Sequence, residues 1–553
     1  MDRGDATTAA RQARERRVSC PTFPAPDLRW PVSSISSSSA APGGPVDDAG
    51  PVPTSLRSLA ALTGGRLVGP LDGTDVAVTD VTHDSRAAGA DVLFACRPGA
   101  RADGHDFAPD AVARGTTALL VERPLDLAVA QLQVDDVAAQ LGAVAAAVQG
   151  DPTAAIEVVG VTGTNGKTTC ATLLDGVLTA AGRRTGLIGT VVTRIAGVQV
   201  PGVRTTPEST DLQRLFRRMA HERVTTVAME VSSHGLALGR VNGTRFAVAV
   251  FTNLTHDHLD FHGTMEAYYA AKASLFTPGF SRLGVVNVDD PWGRRLAAEA
   301  TIPVTTVSLE PDADADLVAT SVTPGPQGSV VEVVVDGAVQ RLEVGLPGRF
   351  NVSNALLVLA TTKVLDVPAA SVAATLRRPW SVPGRMERVD EGQPFTVLVD
   401  YAHTPDSLAR VLEATREAAP GRVLVVIGCG GDRDHQKRPA MGAAAVAGAD
   451  RVVFTNDNPR GEDPDTILAA VVAGARAVTG GLWTVEPDRR AAIATVLDEA
   501  APDDAVVIAG KGHESGQQLA DRTIPFDDRA VARELLRATV GDHRQPRGPE
   551  RSA

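Results

Sequence analysis

Apolar and polar residues along this chain alternate in two rhythms. Short apolar runs of four to seven residues read as buried strands at 76–81, 92–95, 156–160, 224–230, 246–252 and 283–288. A further series occupies 395–399, 422–427, 451–454 and 505–509. Between them lie alanine-rich stretches with apolar residues three and four apart, such as 55–62 and 170–180, which predict helices. Strand–helix alternation at this spacing predicts an α/β fold, mostly parallel sheets with helices on both faces. From about 315 to 345 the rhythm becomes apolar–polar alternation around Asp336-Gly337, predicting an antiparallel excursion. A helix is expected to follow Gly348-Arg-Phe-Asn-Val-Ser-Asn354.

The rhythm breaks at Gly150-Asp-Pro152 and at Val382-Pro-Gly-Arg385, predicting domains over 52–153, 154–383 and 384–542. A chain of 553 residues is too long for one core. Residues 1–51 and 543–553 are expected to be a disordered and a flexible tail, because serine, proline and charge replace apolar periodicity there. The formal charge of −12 argues against nucleic acid or an anionic membrane as the main partner. The 4 cysteines lie far apart without metal-ligand spacing and read as free thiols in a reducing compartment. No apolar run approaches the roughly 18–20 residues of a membrane span, and no secretory signal opens the chain. A cytoplasmic monomer is the expectation.

The chemistry starts at Gly160-Val-Thr-Gly-Thr-Asn-Gly-Lys-Thr-Thr169, between a predicted strand and a predicted helix. Glycines there let backbone N–H groups converge on an anion, and a helix N-terminus adds favourable partial charge. Lys167 can reach terminal phosphates and the Thr168 hydroxyl can sit on magnesium, so the stretch predicts an ATP site. The common phosphate-loop pattern has a glycine five residues before Gly166; here that residue is Val161, with Gly160 and Gly163 on either side. Other polar clusters also follow predicted strands: Glu230-Val-Ser-Ser-His234, Asn253-Leu-Thr-His-Asp-His-Leu-Asp260, Asp400-Tyr-Ala-His-Thr-Pro405, Gly428-Cys-Gly-Gly-Asp-Arg-Asp434, Asp457-Asn-Pro-Arg460 and Gly510-Lys-Gly-His-Glu514. Ligands of open α/β sheets bind at the carboxyl ends of strands, so two such edges facing each other predict a cleft. His256 and His258 with Asp257 and Asp260 could form a zinc site, whereas Glu230 beside the ATP lysine points to magnesium, which prefers oxygen donors.

These pieces, with Ala267-Tyr-Tyr-Ala-Ala-Lys272 and Gly384-Arg-Met-Glu387, resemble the Mur ligase family over about residues 55–540. The resemblance implies a three-domain architecture: a UDP-binding N-terminal domain, a central phosphate-loop ATPase-like parallel sheet and a C-terminal Rossmann-like domain. It further implies ATP-dependent amide-bond formation through an acyl phosphate, in peptidoglycan precursor synthesis. Lys167, Glu230, His258 and Lys272 would be catalytic. Thr168, Glu230, His258 and Lys272, the last as a carbamate, would hold Mg2+. ATP would contact Gly163, Thr164, Asn165, Gly166, Lys167, Thr168, Thr169, Asn354, Arg385 and Asp400. Within the family the chain resembles members that add meso-diaminopimelate to a UDP-N-acetylmuramoyl-dipeptide. For that amino acid the matching positions are Arg438, Asp457, Asn458, Pro459, Arg460, Gly510 and Glu514. A guanidinium pair would clamp the distal carboxylate that lysine lacks. For the nucleotide-sugar they are His83, Ser85, Ala100, Arg101, Ala102, Thr205, Thr206, Ser232 and Arg240. Two positions depart from the family: Leu238 where glutamine is frequent, and Arg204 where asparagine occurs. A lysine-adding ligase, a folylpolyglutamate synthase and a non-catalytic ATP-binding module are the competing readings.

Overall fold

A computed structural model describes residues 53–543 apart from 71–74, 100–101, 201, 203 and 326. The expected N-terminal tail, residues 544–553, and the candidate residues Ala100 and Arg101 lie outside the described residues.

Three sheets organise the fold. The first runs Arg66–Val68, Ala130–Gln133, Ala118–Val121, Val92–Ala95, Asp80–Thr82 in spatial order. Helix Leu56–Thr63 starts where Ser55 accepts a hydrogen bond from the Ser58 N–H, and it ends at Gly64 with φ 66°. With helix Val137–Val148 it covers the sheet, burying Leu56, Leu59, Leu120 and Leu141 in one core.

The second sheet has 11 strands. Its centre, from Thr185–Ile188 through Thr226–Glu230, Glu157–Thr162, Phe246–Phe251 and Ser281–Asn287 to Val304–Ser308, is parallel. Helices Lys167–Ala180 and Arg349–Val364 pack on one face around Val159, Leu173, Leu174 and Leu356. Phe216, Met229, Phe251 and Phe276 fill the other. The expected antiparallel excursion is Leu317–Gly325, Gly328–Val335 and Ala338–Val344. Asp336 (φ 53°) and Gly337 (φ 76°) put both central residues of its tight turn in the left-handed region. At the opposite edge sits an unexpected hairpin, Thr193–Ile195 with Val198–Val200, whose strands are too short for periodicity to register.

The third sheet runs Glu387–Arg388, Thr396–Asp400, Ala505–Ala509, Val423–Ile427, Arg451–Phe454, Leu482–Val485. All its pairs but the first are parallel. The edge strand Leu482–Val485 was not expected, since an edge needs little apolar character and Leu482 is 62% exposed. Two helix starts also differ from expectation. The helix expected at 170 begins at Lys167, and the one expected beyond 354 begins at Arg349. Both shifts matter: Lys167 and Thr168 become first-turn residues, and Asn351 and Asn354 fall on one helical face.

Candidate active site

Strand register brings the chemistry together. Glu230 pairs with Val161, and Phe251 with Thr162, so the three strands end at one edge. Beyond Thr162 the chain turns through Gly163 (φ 146°) and Gly166 (φ 88°) into helix Lys167–Ala180. A Cβ on Gly163 would lie 1.9 Å from Thr252 Oγ1, so no side chain fits there. Gly160 does different work inside the strand, where a Cβ would strike the Phe246 ring at 2.7 Å. That explains the displaced glycines: one packs the sheet and the other makes the turn. Asn253 holds the turn by accepting from Thr164 N and Asn165 N, both at 2.9 Å. The Lys167 ammonium folds back onto the Gly163 and Thr164 carbonyls, 2.9 Å each.

Glu230 is buried beside this turn. Its Oε2 accepts from Thr168 Oγ1 and Thr190 Oγ1 at 3.0 Å, and its Oε1 from Thr190 N at 2.7 Å. Lys272, on helix Met265–Ala273, donates to the same Gly163 carbonyl as Lys167, at 2.8 Å. Burial first, and then repulsion from Lys167, hold its pKa well below the ordinary lysine value. Two buried ammonium groups on one carbonyl are unfavourable, so Lys272 is driven towards the neutral amine. His258 sits at φ 55° with Nε2 3.4 Å from Asp257 Oδ2. Burial pushes its pKa down to about 3, leaving a neutral imidazole. His234 stacks on Phe261 at 4.2 Å and meets the His258 ring edge-on at 4.8 Å.

Among the described residues no group of three or more His, Cys, Asp and Glu converges as a metal site. His256 turns instead towards Asp434, at 3.7 Å. The donors that do meet are oxygens, Thr168 Oγ1 and the Glu230 carboxylate. One or two protein oxygens completed by water and phosphate suit magnesium, so the donor set fits that ion and not a closed zinc site.

The third sheet closes the other side of the cleft. Arg385, just past the break at Gly384, donates to Thr168 Oγ1 at 3.3 Å and lies over the Tyr401 ring at 4.4 Å. Asp400 accepts from Met386 N and Ala402 N at 2.7 Å, and burial raises its pKa. Asn165 reaches Asp406 at 3.4 Å, and His403 Nε2 lies 3.6 Å from Asp257 Oδ2. Together these walls enclose a cavity of about 680 Å³ lined by Lys167, Thr168, Glu230, Asn354, Arg385 and Asp400. Asn287, Phe350, His403 and Arg410 also line it. Sequence reasoning named none of the four individually: Phe350 and His403 stand inside quoted motifs, whereas Asn287 ends an ordinary strand and Arg410 lies on an ordinary helix.

One to three strands along the same edge of the third sheet, a second cluster assembles. Lys511, fully buried, donates to Asn458 Oδ1 (3.0 Å), Glu514 Oε2 (3.2 Å) and the Gly516 carbonyl (2.7 Å). Asn458 Nδ2 donates to the same Glu514 oxygen at 2.7 Å. Gly510 (φ 107°) leaves room beside Asp457, whose pKa is raised by burial. Arg460 holds a left-handed φ of 52° and is fixed by Gln518 Oε1 (2.8 Å) and the Gly431 carbonyl (2.7 Å). Arg489 and Asp528 form a fully buried bidentate pair beneath, and Arg489 also donates to the Ala509 carbonyl at 2.9 Å. Arg438 does not fit the role of second clamp. It is buried and its fork is already closed on Glu462, at 3.0 and 2.9 Å. The exposed arginine of that loop is Arg433, which donates to the Asp432 carbonyl at 3.0 Å. The loop packs on the Arg460 turn, because Gly431 N donates to Asn458 O and Gly461 N to Asp432 Oδ2.

Where the first and second sheets meet, Thr206 Oγ1 lies 3.1 Å from Ser232 Oγ, and Thr205 Oγ1 lies 2.9 Å from Thr190 Oγ1. His83 Nδ1 lies 3.5 Å from Thr210 Oγ1. Ser85 opens a short 3-10 turn, and Ala102 O accepts from Gly99 N at 2.9 Å. Arg240 donates to the Thr206 carbonyl at 3.4 Å. Leu238 offers its backbone: its carbonyl accepts from Arg97 at 3.3 Å.

Three family models cover most of this architecture. "Mur ligase family, catalytic domain" matches residues 77–163, "Mur ligase middle domain" 161–362 and "Mur ligase, glutamate ligase domain" 384–512. The chain is 47% identical over 500 residues to the UDP-N-acetylmuramoyl-L-alanyl-D-glutamate–2,6-diaminopimelate ligase of Streptomyces coelicolor, covering 89% of this chain and 98% of that one. It is 46% identical to the protein of the same name from Geobacillus thermodenitrificans, over 82% of this chain and 94% of that one. A solved structure of a ligase of that name superposes with a TM-score of 0.61 at 32% identity, covering 84% and 96% of the two chains. The UDP-N-acetylmuramoylalanyl-D-glutamyl-2,6-diaminopimelate–D-alanyl-D-alanyl ligase from Acinetobacter baumannii shares the fold at 18% identity, with a TM-score of 0.59 over 90% and 100% of the two chains. With the phosphate turn, Glu230, Lys272 and the Arg460 turn in the arrangement described, the chain belongs to the Mur ligase family.

Proposed function

We propose that this chain joins meso-2,6-diaminopimelate to UDP-N-acetylmuramoyl-L-alanyl-D-glutamate at the expense of ATP, in cytoplasmic synthesis of peptidoglycan precursors. The observation that carries this reading is a pair of basic turns, each at the carboxyl ends of the parallel strands of its sheet. One is a glycine turn with two lysines on the second sheet, and the other is the Arg460 turn on the third. ATP would enter the 680 Å³ cavity with its phosphates on the Gly163–Thr169 backbone and the Lys167 ammonium. Thr168, Glu230, His258 and carbamylated Lys272 would hold magnesium, which when bound supplies neutralisation of phosphate charge. The D-glutamyl γ-carboxylate takes the γ-phosphoryl group and ADP leaves. The amine then attacks the acyl phosphate, and inorganic phosphate departs with its bonding electrons as the amide forms. This chemistry asks for positioning and charge neutralisation, which lysine, arginine and the helix N-terminus provide. The neutral Lys272 amine is the form that adds carbon dioxide, exchanging a proton for a carbamate anion where Lys167 is its nearest cation.

Arg460 and Arg433 would clamp the distal carboxylate of diaminopimelate, while Arg438 and Glu462 lock their loop in place. L-Lysine would leave those guanidiniums unpaired beside a second cation, which disfavours the lysine-adding alternative. The test is to offer the dipeptide substrate, ATP and magnesium with a panel of amines and to weigh the product. A tripeptide containing diaminopimelate is expected; equal turnover of L-lysine would sink the assignment.

A further inference from the structure

Lys511 belongs to the cluster on the third sheet, yet its side chain is fully buried. An ammonium group has three N–H donors, and here all three are spent inside the protein. They reach Asn458 Oδ1 at 3.0 Å, Glu514 Oε2 at 3.2 Å and the Gly516 carbonyl at 2.7 Å. Asn458 lies in the turn after strand Arg451–Phe454, and Glu514 in the loop after Ala505–Ala509. Gly516 opens the short strand Gly516–Gln518. One buried cation therefore ties three separate stretches of chain. The same bonds decide which polar atoms stay free. Asn458 Oδ1 accepts from Lys511 and from Gln518 N, at 2.9 Å, and neither partner can accept, so the amide cannot be reversed. Its Nδ2 then donates to Glu514 Oε2 at 2.7 Å. Glu514 Oε2 is thus held from two sides, while among the described residues nothing donates to its Oε1. The Glu514 side chain is 30% exposed. The network leaves one carboxylate oxygen free beside the second Nδ2–H of Asn458. An acceptor next to a donor complements an ammonium and a carboxylate on one carbon, and not an ammonium alone.

We propose that Lys511 is a positioning residue that sets amino-acid selectivity without touching the substrate. It turns Glu514 and Asn458 so that an amine is fully paired only when its far end carries both an ammonium and a carboxylate. The proposal rests on the diaminopimelate reading above and adds the group that orients the contacts. An apolar side chain at 511 would leave Glu514 Oε2 and Asn458 Oδ1 with one donor each, freeing both to rotate. Full-length protein is assayed with the UDP-N-acetylmuramoyl dipeptide, ATP and magnesium, against meso-diaminopimelate and against L-lysine. Lys511→Met should raise the KM for diaminopimelate about tenfold or more, with kcat at saturation and the KM for ATP within about twofold. The preference for diaminopimelate over L-lysine should fall by a similar factor. General loosening of the third sheet would instead move kcat and the ATP KM together. The second variant combines Lys511→Met with Glu514→Gln, which removes both charges of the buried pair and so decides the matter even where the single variant fails to fold. Because Lys511 acts through its partners, the double variant should have a diaminopimelate KM within about threefold of Glu514→Gln alone. An unchanged diaminopimelate KM in Lys511→Met, or a double variant much weaker than Glu514→Gln, would overturn the inference while leaving the function standing. Wild-type protein that uses L-lysine as readily as diaminopimelate would overturn both.

Discussion

The phosphate turn of the second sheet and the arginine turn of the third both follow a buried parallel strand, yet one presents backbone and the other presents side chains. At Gly163 and Gly166 the chain clears space for an anion by having no Cβ, and its lysines are tied to carbonyls of the same loop. At Asp457–Arg460 a non-glycine residue holds a left-handed φ, and Lys511, Asn458, Glu514 and Gln518 are bonded into one network around it. A backbone cradle recognises phosphate in any company. A side-chain network recognises one arrangement of charges and penalises others. Damage to the first should therefore stop turnover of every amine, and damage to the second should change which amine is used.

The largest effect expected is from Lys272→Ala. It should lower kcat with diaminopimelate at least a thousandfold with a folded protein, and short carboxylic acids added to the assay should restore part of it. Full activity of that variant would break the comparison on the phosphate side. Next, Arg460→Ala should lower kcat/KM for diaminopimelate by about a hundredfold, the scale of a lost charge-assisted clamp, while the KM for ATP stays within about twofold. A parallel rise in both KM values would mean that the two turns are not independent. Arg433→Ala should cost about tenfold in the diaminopimelate KM if that arginine supplies the second guanidinium.

The smallest effect concerns stability. The folded-state pKa of Lys272 lies below its unfolded value, so the unfolded chain binds more protons between the two values. Unmodified protein therefore gains stability as pH rises through that window and loses it as pH falls. In carbon-dioxide-free buffer at neutral pH, Lys272→Met should melt a few degrees higher than the wild type, although it is inactive. Calorimetry with and without bicarbonate would check the sign.

Much of this was legible in the sequence. Strand cores such as Val423–Ile427 and Ala505–Ala509 are apolar on both faces, so periodicity alone finds them. The phosphate turn and Glu230 stand in runs whose residue types point to phosphate and metal, whereas Lys272 sits in an ordinary helical run and was singled out only by the family resemblance. The arginine assignment was harder, because Arg433 and Arg438 are five residues apart and equally charged. Only the Glu462 carboxylate, 24 residues downstream, distinguishes the buried one from the exposed one. Cross-cleft contacts such as Asn165 with Asp406 were invisible for the same reason: they depend on how two sheets face each other, which no local pattern encodes.

The fully buried Arg489–Asp528 pair has a consequence for how the protein is made. Arg489 also bonds the Ala509 carbonyl, next to Gly510, and Asp528 opens the helix Asp528–His543. An unpaired buried guanidinium is costly, so Ala509 and Gly510 cannot settle until Asp528 arrives. A chain truncated before residue 528 should therefore leave the Ala509–Gly510 strand end without its support.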